Sequence, residues 1–148
     1  MKSIFNPANR NELIDRINNL DENSTAVWGK MNLYQMLKHC TLWDEWIQGK
    51  TVYNRVFIGR ILGKIMLKNA LKDHAPLQHN SPTIAALRIQ EKSGNIPMQK
   101  AEWISIIEKY ASYSNPNFVH AFFGKMTEEQ IGQFVYKHTD HHLRQFNG

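Results

Sequence analysis

The stretch YKHTDHHLRQF, residues 136–146, places three of the chain's seven histidines within five positions. At about 100° per residue, His142 lies about 40° round a helix from His138 and one turn further along, so the two share a face. That face is apolar. Relative to His138, Ile131 falls near about +20°, Phe134 near −40°, Val135 near +60° and Phe146 near +80°. His141, at about −60°, lies at the margin of the stripe, while Lys137 and Asp140 point away from it. Imidazoles in the middle of a buried stripe need partners, because an unpartnered buried ring costs free energy. Hydrogen bonds to Tyr, Gln or backbone groups are one answer. A divalent ion held by His at i and i+4, about 2.0–2.1 Å from each ring nitrogen, is the other.

A third ligand would strengthen the second answer, and His39 is the candidate. On its own helix it shares a face with Met36, Trp43 and Trp46, at about +60°, +40° and −20°. Cys40, about 100° away, suits a small core residue. His74 and His79 fall in a proline-containing connection and His120 in a loop, where solvated histidines are expected. Gln35, one turn before His39, and Gln145, one turn after His142, face the right way to hold ring tautomers, or serve as ordinary interhelical hydrogen-bonding glutamines. No catalytic acid or base can be assigned. Asp140 turns outward, and Glu128 and Glu129 sit in a first helical turn, where carboxylates suit the helix dipole. Trp28, Trp43 and Trp46 read as core, with a pocket wall as the alternative.

The elements that must position these residues are helical. NELIDRINNL places Leu13, Ile17 and Leu20 at helical spacing. Asn32 and Gln35 form a capping box that opens a second helix, running to about Gln48 before Gly49. The segment 54–73 has Arg60, Lys64, Lys68 and Lys72 at four-residue intervals and predicts a core helix with a solvated basic face. A basic helix lying on an anionic membrane surface is the alternative, and charges interrupt the segment too often for a span. Residues 74–97 predict an irregular connection with one short element. Trp103, Ile106, Ile107 and Tyr110 mark a fourth helix over 98–113. Residues 115–126 read as a loop, and a second capping box, Thr127 with Gln130, opens a last helix to about Phe146. No clear strand pair is seen.

The 148 residues suit one domain over 1–148, and 42% hydrophobic against 21% charged residues is enough to bury a core. The net charge of +5 is compatible with several anionic partners and selects none. No nucleic-acid motif accompanies it, so nucleic acid is not an expected partner, and reading segment 54–73 as a core helix leaves no membrane partner expected either. The single cysteine excludes an intrachain disulfide and fits a reducing compartment. The first residues lack an apolar run of secretory length, so a cytoplasmic location is expected.

The inward histidine of MLKHC and the later HTDHH resemble the DinB/YfiT-like superfamily of small bacterial four-helix bundles. The tail FFGKMTEEQIGQFVYKHTDHHLRQF is similar to an uncharacterised branch of it that ends in KHxDHHLRQF. The resemblance implies an all-α, up-down-down-up four-helix bundle with a long irregular connection in the middle. It also implies a divalent metal, zinc or nickel, bound by one His of the second helix and two of the last, here His39, His138 and His142. It implies a small-molecule substrate and either S-transfer with a low-molecular-weight thiol or hydrolysis; apart from the resemblance, exposed faces of such a bundle leave room for a homodimer, which no residue pattern specifies. The alternative is a stress-associated metal-binding or interaction bundle without turnover. The ending LRQF departs from the Gly-Gln-Ile or Gly-Gln-Leu type continuation of many members, so no particular substrate comes with the likeness.

Overall fold

The computed structural model describes residues 1–72 and 75–148; the expected solvated His74 lies outside them. Five α-helices and one minimal hairpin make up the architecture: α1 (Pro7–Asn19), α2 (Leu33–Ile47), α3 (Phe57–Ala70), α4 (Ile96–Glu108), β1 (Val119–His120), β2 (Gly124–Lys125) and α5 (Glu128–Gln145). Helix α2 packs most extensively on α4, α1 packs on α4 and α5, and α2 also meets α5.

Local chemistry explains the helix ends. Both capping boxes form: Asn32 and Gln35 open α2, and Thr127 and Gln130 open α5, each satisfying amides reciprocally. Helix α1 begins four residues before the expected Asn11. Asn6 accepts from the amides of Ala8 and Asn9, and Pro7 occupies a position where a missing N–H costs nothing. Helix α4 starts two residues early for the same reason, with Asn95 as cap and Pro97 in the first turn, and it ends at Glu108, short of the expected 113, with Lys109–Ser112 continuing as a 3₁₀ turn that buries Tyr110. After α2 the chain turns at Gly49, whose φ of 89° suits a residue without Cβ.

One contiguous core runs from Ile4 to Phe146 and includes Leu13 and Ile17 of α1, Met36, Leu37 and Cys40 of α2, Trp103 and Ile107 of α4, and Val135 and Leu143 of α5. Polar ties cross it. Asp44 of α2 is fully buried and accepts from Trp103 Nε1 at 2.8 Å and Tyr110 Oη at 2.7 Å. Gln99 Nε2 donates to Thr41 Oγ1 at 3.1 Å.

Two segments differ from the sequence expectation. Residues 115–126 are not a plain loop: β1 pairs antiparallel with β2, Val119 opposite Lys125 and His120 opposite Gly124. Strands of two residues are too short to show a period. Helix α3 is not a core helix. It turns Gly59, Gly63 and Leu67 inward and leaves its large apolar side chains in solvent. A Cβ at Gly59 or Gly63 would collide with the carbonyl oxygen of Phe122, so these glycines allow α3 to lie directly on the hairpin turn. Val56 N–H to Ala121 O, at 3.0 Å, and the Arg55 guanidinium to Gly59 O, at 2.8 Å, fasten its start. The connection 75–95 holds the one short element expected there, a 3₁₀ turn at Ala85–Leu87 with Leu87 buried. No helix among the described residues is long and apolar enough to cross a membrane.

Candidate metal centre

His39 comes from the middle of α2, and His138 and His142 from the later turns of α5. The contact between these helices brings the three rings together. Ring centroids are 5.5 Å apart for His39 and His138, 5.0 Å for His39 and His142, and 4.7 Å for His138 and His142. Each ring offers one nitrogen to a group whose atoms all lie within 4.8 Å of one another. His39 and His142 are buried, and His138 is buried at its Nδ1 with part of its surface of intermediate exposure.

Hydrogen bonds fix two of the tautomers. His39 Nδ1 lies 2.9 Å from the carbonyl oxygen of Leu87. A carbonyl only accepts, so Nδ1 carries the proton and Nε2 keeps its lone pair. His142 Nδ1 lies 3.0 Å from Gln145 Oε1. The amide orientation of Gln145 is itself set, because its Nε2 donates to the carbonyl oxygen of Trp28 at 2.8 Å. Thus Gln145 Oε1 accepts from His142, and His142 Nε2 is also free of a proton. His138 stacks on Trp43 with centroids 3.9 Å apart and planes 17° apart. Its Nδ1 is buried without a hydrogen-bond partner among the described residues.

Burial drives the basicity of all three rings below that of a free imidazole, most strongly for His138 and His142. The neighbouring imidazoles push the same way for His138 and His142, while the Leu87 and Gln145 hydrogen bonds act against it. Three rings of lowered basicity that each bring a nitrogen within 4.8 Å of the others, one of them with an orphaned buried nitrogen, are a donor set suited to a divalent cation. The residues present therefore fit such an ion.

The other candidates separate from this group. Gln35 is not against His39: its Oε1 accepts from Asn32 N–H in the capping box and its Nε2 donates to Ile89 O at 3.1 Å. It acts one step removed, by holding the stretch of chain whose Leu87 carbonyl orients His39. Gln145 faces the site as expected. His141 is outside the trio and packs with Trp28 and His79, and Trp28 and His79 stack at 3.9 Å. His120 is not a solvated loop histidine. It is buried inside the hairpin, where Nδ1 accepts from the amides of Phe122 and Phe123, each at 3.1 Å. Burial, with the Arg55 charge nearby, lowers its pKa to about 3. Cys40 is a core thiol whose pKa burial pushes up. Asp140 does not lie freely outward: Arg16 holds one carboxylate oxygen at 2.7 Å and Arg144 the other at 2.8 Å. Sequence reasoning missed the Leu87 carbonyl, since a backbone acceptor in an irregular segment leaves no residue-type signature.

The family model described as a protein of unknown function (DUF1569) matches residues 5–148. No curated protein and no solved structure matches the chain. Because the family match takes in both α2 and α5, and all but four residues of the sequence, the chain belongs to the DUF1569 family.

Proposed function

We propose that this is a DinB/YfiT-like metal-dependent enzyme that uses His39, His138 and His142 as ligands. Helices α1, α2, α4 and α5 then form its up-down-down-up bundle within a single domain. The reaction class is S-transfer from a low-molecular-weight thiol, or hydrolysis, on a small electrophilic molecule. The observation that carries the reading is the convergence of three neutral imidazoles from two helices. When bound, a divalent ion of the zinc or nickel kind supplies Lewis acidity toward a thiol or a water at an open coordination position.

The chain's own residues do the rest. Leu87 O and Gln145 Oε1 retain the Nδ1 protons of His39 and His142, so the Nε2 atoms remain donors to a cation over a wide pH range. Trp43 backs the His138 ring and excludes water from that side. The carboxylates nearest in sequence are committed elsewhere, Asp44 to Trp103 and Tyr110 and Asp140 to two arginines. No protein carboxylate among the described residues joins the three-histidine group. A thiol or water would therefore give its proton to solvent or to the substrate's leaving group, without a dedicated base.

The test is turnover by protein loaded with zinc or nickel, offered bacterial thiols with electrophiles and simple esters or amides, beside His142→Ala. Turnover that vanishes in His142→Ala supports the proposal. Silence from loaded protein with every substrate class favours a metal-binding or interaction bundle without chemistry.

A further inference from the structure

Helix α3 is built the wrong way round for a helix of a closed fold. Its inward face is small, Gly59 and Gly63 with Leu67. Its outward face carries Phe57, Ile58, Ile61, Leu62, Ile65 and Met66, exposed by 77%, 51%, 60%, 41%, 60% and 44%. Among the described residues these are six of the eleven large hydrophobic side chains that are exposed. A contiguous apolar surface of this kind on one element marks a place where something docks.

The charge distribution says what kind of partner. Residues 54–72 contain Arg55, Arg60, Lys64, Lys68 and Lys72 and no acidic residue. Eighteen basic and thirteen acidic residues make up the whole chain, so the remainder balances and the entire net charge of +5 resides in this stretch. Relative to Ile61, Arg60, Lys64 and Lys68 fall at about −100°, −60° and −20°, whereas Phe57, Ile65, Ile58, Leu62 and Met66 fall at about −40°, +40°, +60°, +100° and +140°. Arg60 and Lys64 thus flank the apolar band on one side and Lys68 lies between Phe57 and Ile61, so the bases gather on one half of the exposed face. Lys64 donates to Lys125 O and Arg55 holds the Gly59 carbonyl, while Arg60 and Lys68 make no hydrogen bond or ion pair among the described residues.

We infer that α3 is a docking helix for an anionic lipid bilayer surface, lying in the headgroup plane with its Phe57, Ile61 and Ile65 face in the acyl boundary. The mixture of aliphatic side chains and one-sided bases is what such an interface takes up, the bases reaching headgroups from stems that lie on apolar surface. Nucleic acid would find cations but a broad aliphatic band beside them. A second copy fits less well. Two α3 helices packed antiparallel about a two-fold axis bring their basic edges to the same side of the seam, where like charges repel. The expectation of no membrane partner rests on α3 packing into the core, and its exposed face removes that ground. This inference is independent of the metal centre.

Flotation of the full chain with vesicles tests it, using equal parts phosphatidylglycerol and phosphatidylcholine against pure phosphatidylcholine. Binding to the anionic vesicles is expected at low salt and should weaken as salt rises. Arg60→Gln with Lys68→Gln should weaken it about ten- to thirtyfold. Ile61→Ser with Ile65→Ser, both at exposed positions that leave the fold intact, should abolish it. No flotation on anionic vesicles at low salt overturns the inference, as does equal flotation on both vesicle types. A dimer in sedimentation equilibrium that the isoleucine pair dissolves, without flotation, assigns the face to a second copy and overturns it as well.

Discussion

Gln145 accepts the Nδ1–H of His142 at 3.0 Å while donating its own amide hydrogen to the carbonyl oxygen of Trp28 at 2.8 Å. One side chain therefore reads a backbone acceptor on one side and dictates a histidine tautomer on the other. Gln145→Leu removes the restraint and leaves a ring free to turn or to change tautomer. Zinc affinity should fall about 10- to 100-fold, measured by competition with a chromophoric chelator. Unchanged affinity would show that Gln145 does not set the donor atom.

Asp44 gives a stability prediction with a definite sign. Burial raises its folded-state pKa from 3.8 to about 7, against the opposing hydrogen bonds from Tyr110 and Trp103. The folded state thus holds a proton that the unfolded chain releases between these values. Its contribution is complete below 3.8 and declines as pH rises to about 7. Each pH unit across that interval is worth about 1.4 kcal/mol, which puts the decline on the order of 1–4 kcal/mol. Asp44→Asn can still accept from Trp103 and can donate to the Tyr110 oxygen, but it cannot titrate. Denaturant titrations of both proteins across this range should diverge with pH, and parallel curves would refute the assignment.

The features legible in the sequence are local or set by helix geometry. The pairs Asn32 with Gln35 and Thr127 with Gln130 act within one turn, so their capping boxes are readable. The common facing of His138 and His142, and the inward turn of His39, follow from about 100° per residue and apolar neighbours. What is illegible depends on partners distant in the chain. Nothing in TIAALRIQ, the stretch around Leu87, announces that its carbonyl will meet His39, 48 residues away. Gln35 suits both a cap and a partner of His39, and the cap takes it. Periodicity marks α3 as amphipathic but cannot show which side the rest of the molecule will cover. Asp44 does leave a signal, because an acid one turn after Cys40 interrupts the buried face of α2.

Gly63 and Gly59 test how α3 is seated. A Cβ at either position would strike the Phe122 carbonyl, a backbone atom that cannot swing away. Gly63→Val should lift α3 from the hairpin and cost about 1–3 kcal/mol, with faster amide exchange at Val56, which donates to Ala121 O. Wild-type stability and exchange in this variant would contradict the seating.

His120 predicts acid lability of the hairpin. Its pKa, lowered from 6.5 to about 3 by burial and by Arg55, means that the unfolded chain takes up a proton that the folded hairpin refuses. Stability from this ring is present above 6.5 and is lost as pH falls toward 3. His120→Asn keeps an acceptor for the Phe122 and Phe123 amides but cannot protonate there. It should unfold at lower pH than the wild type, followed by circular dichroism, and an unshifted acid midpoint would contradict this.

The most direct measurement is elemental analysis of bound metal in four variants reconstituted side by side with zinc and with nickel. His39→Ala, His138→Ala and His142→Ala should each lose the ion, and His141→Ala, whose ring packs with Trp28 and His79, should keep most of it. Equal loss in all four, or full retention in any of the first three, would contradict a centre formed by these imidazoles.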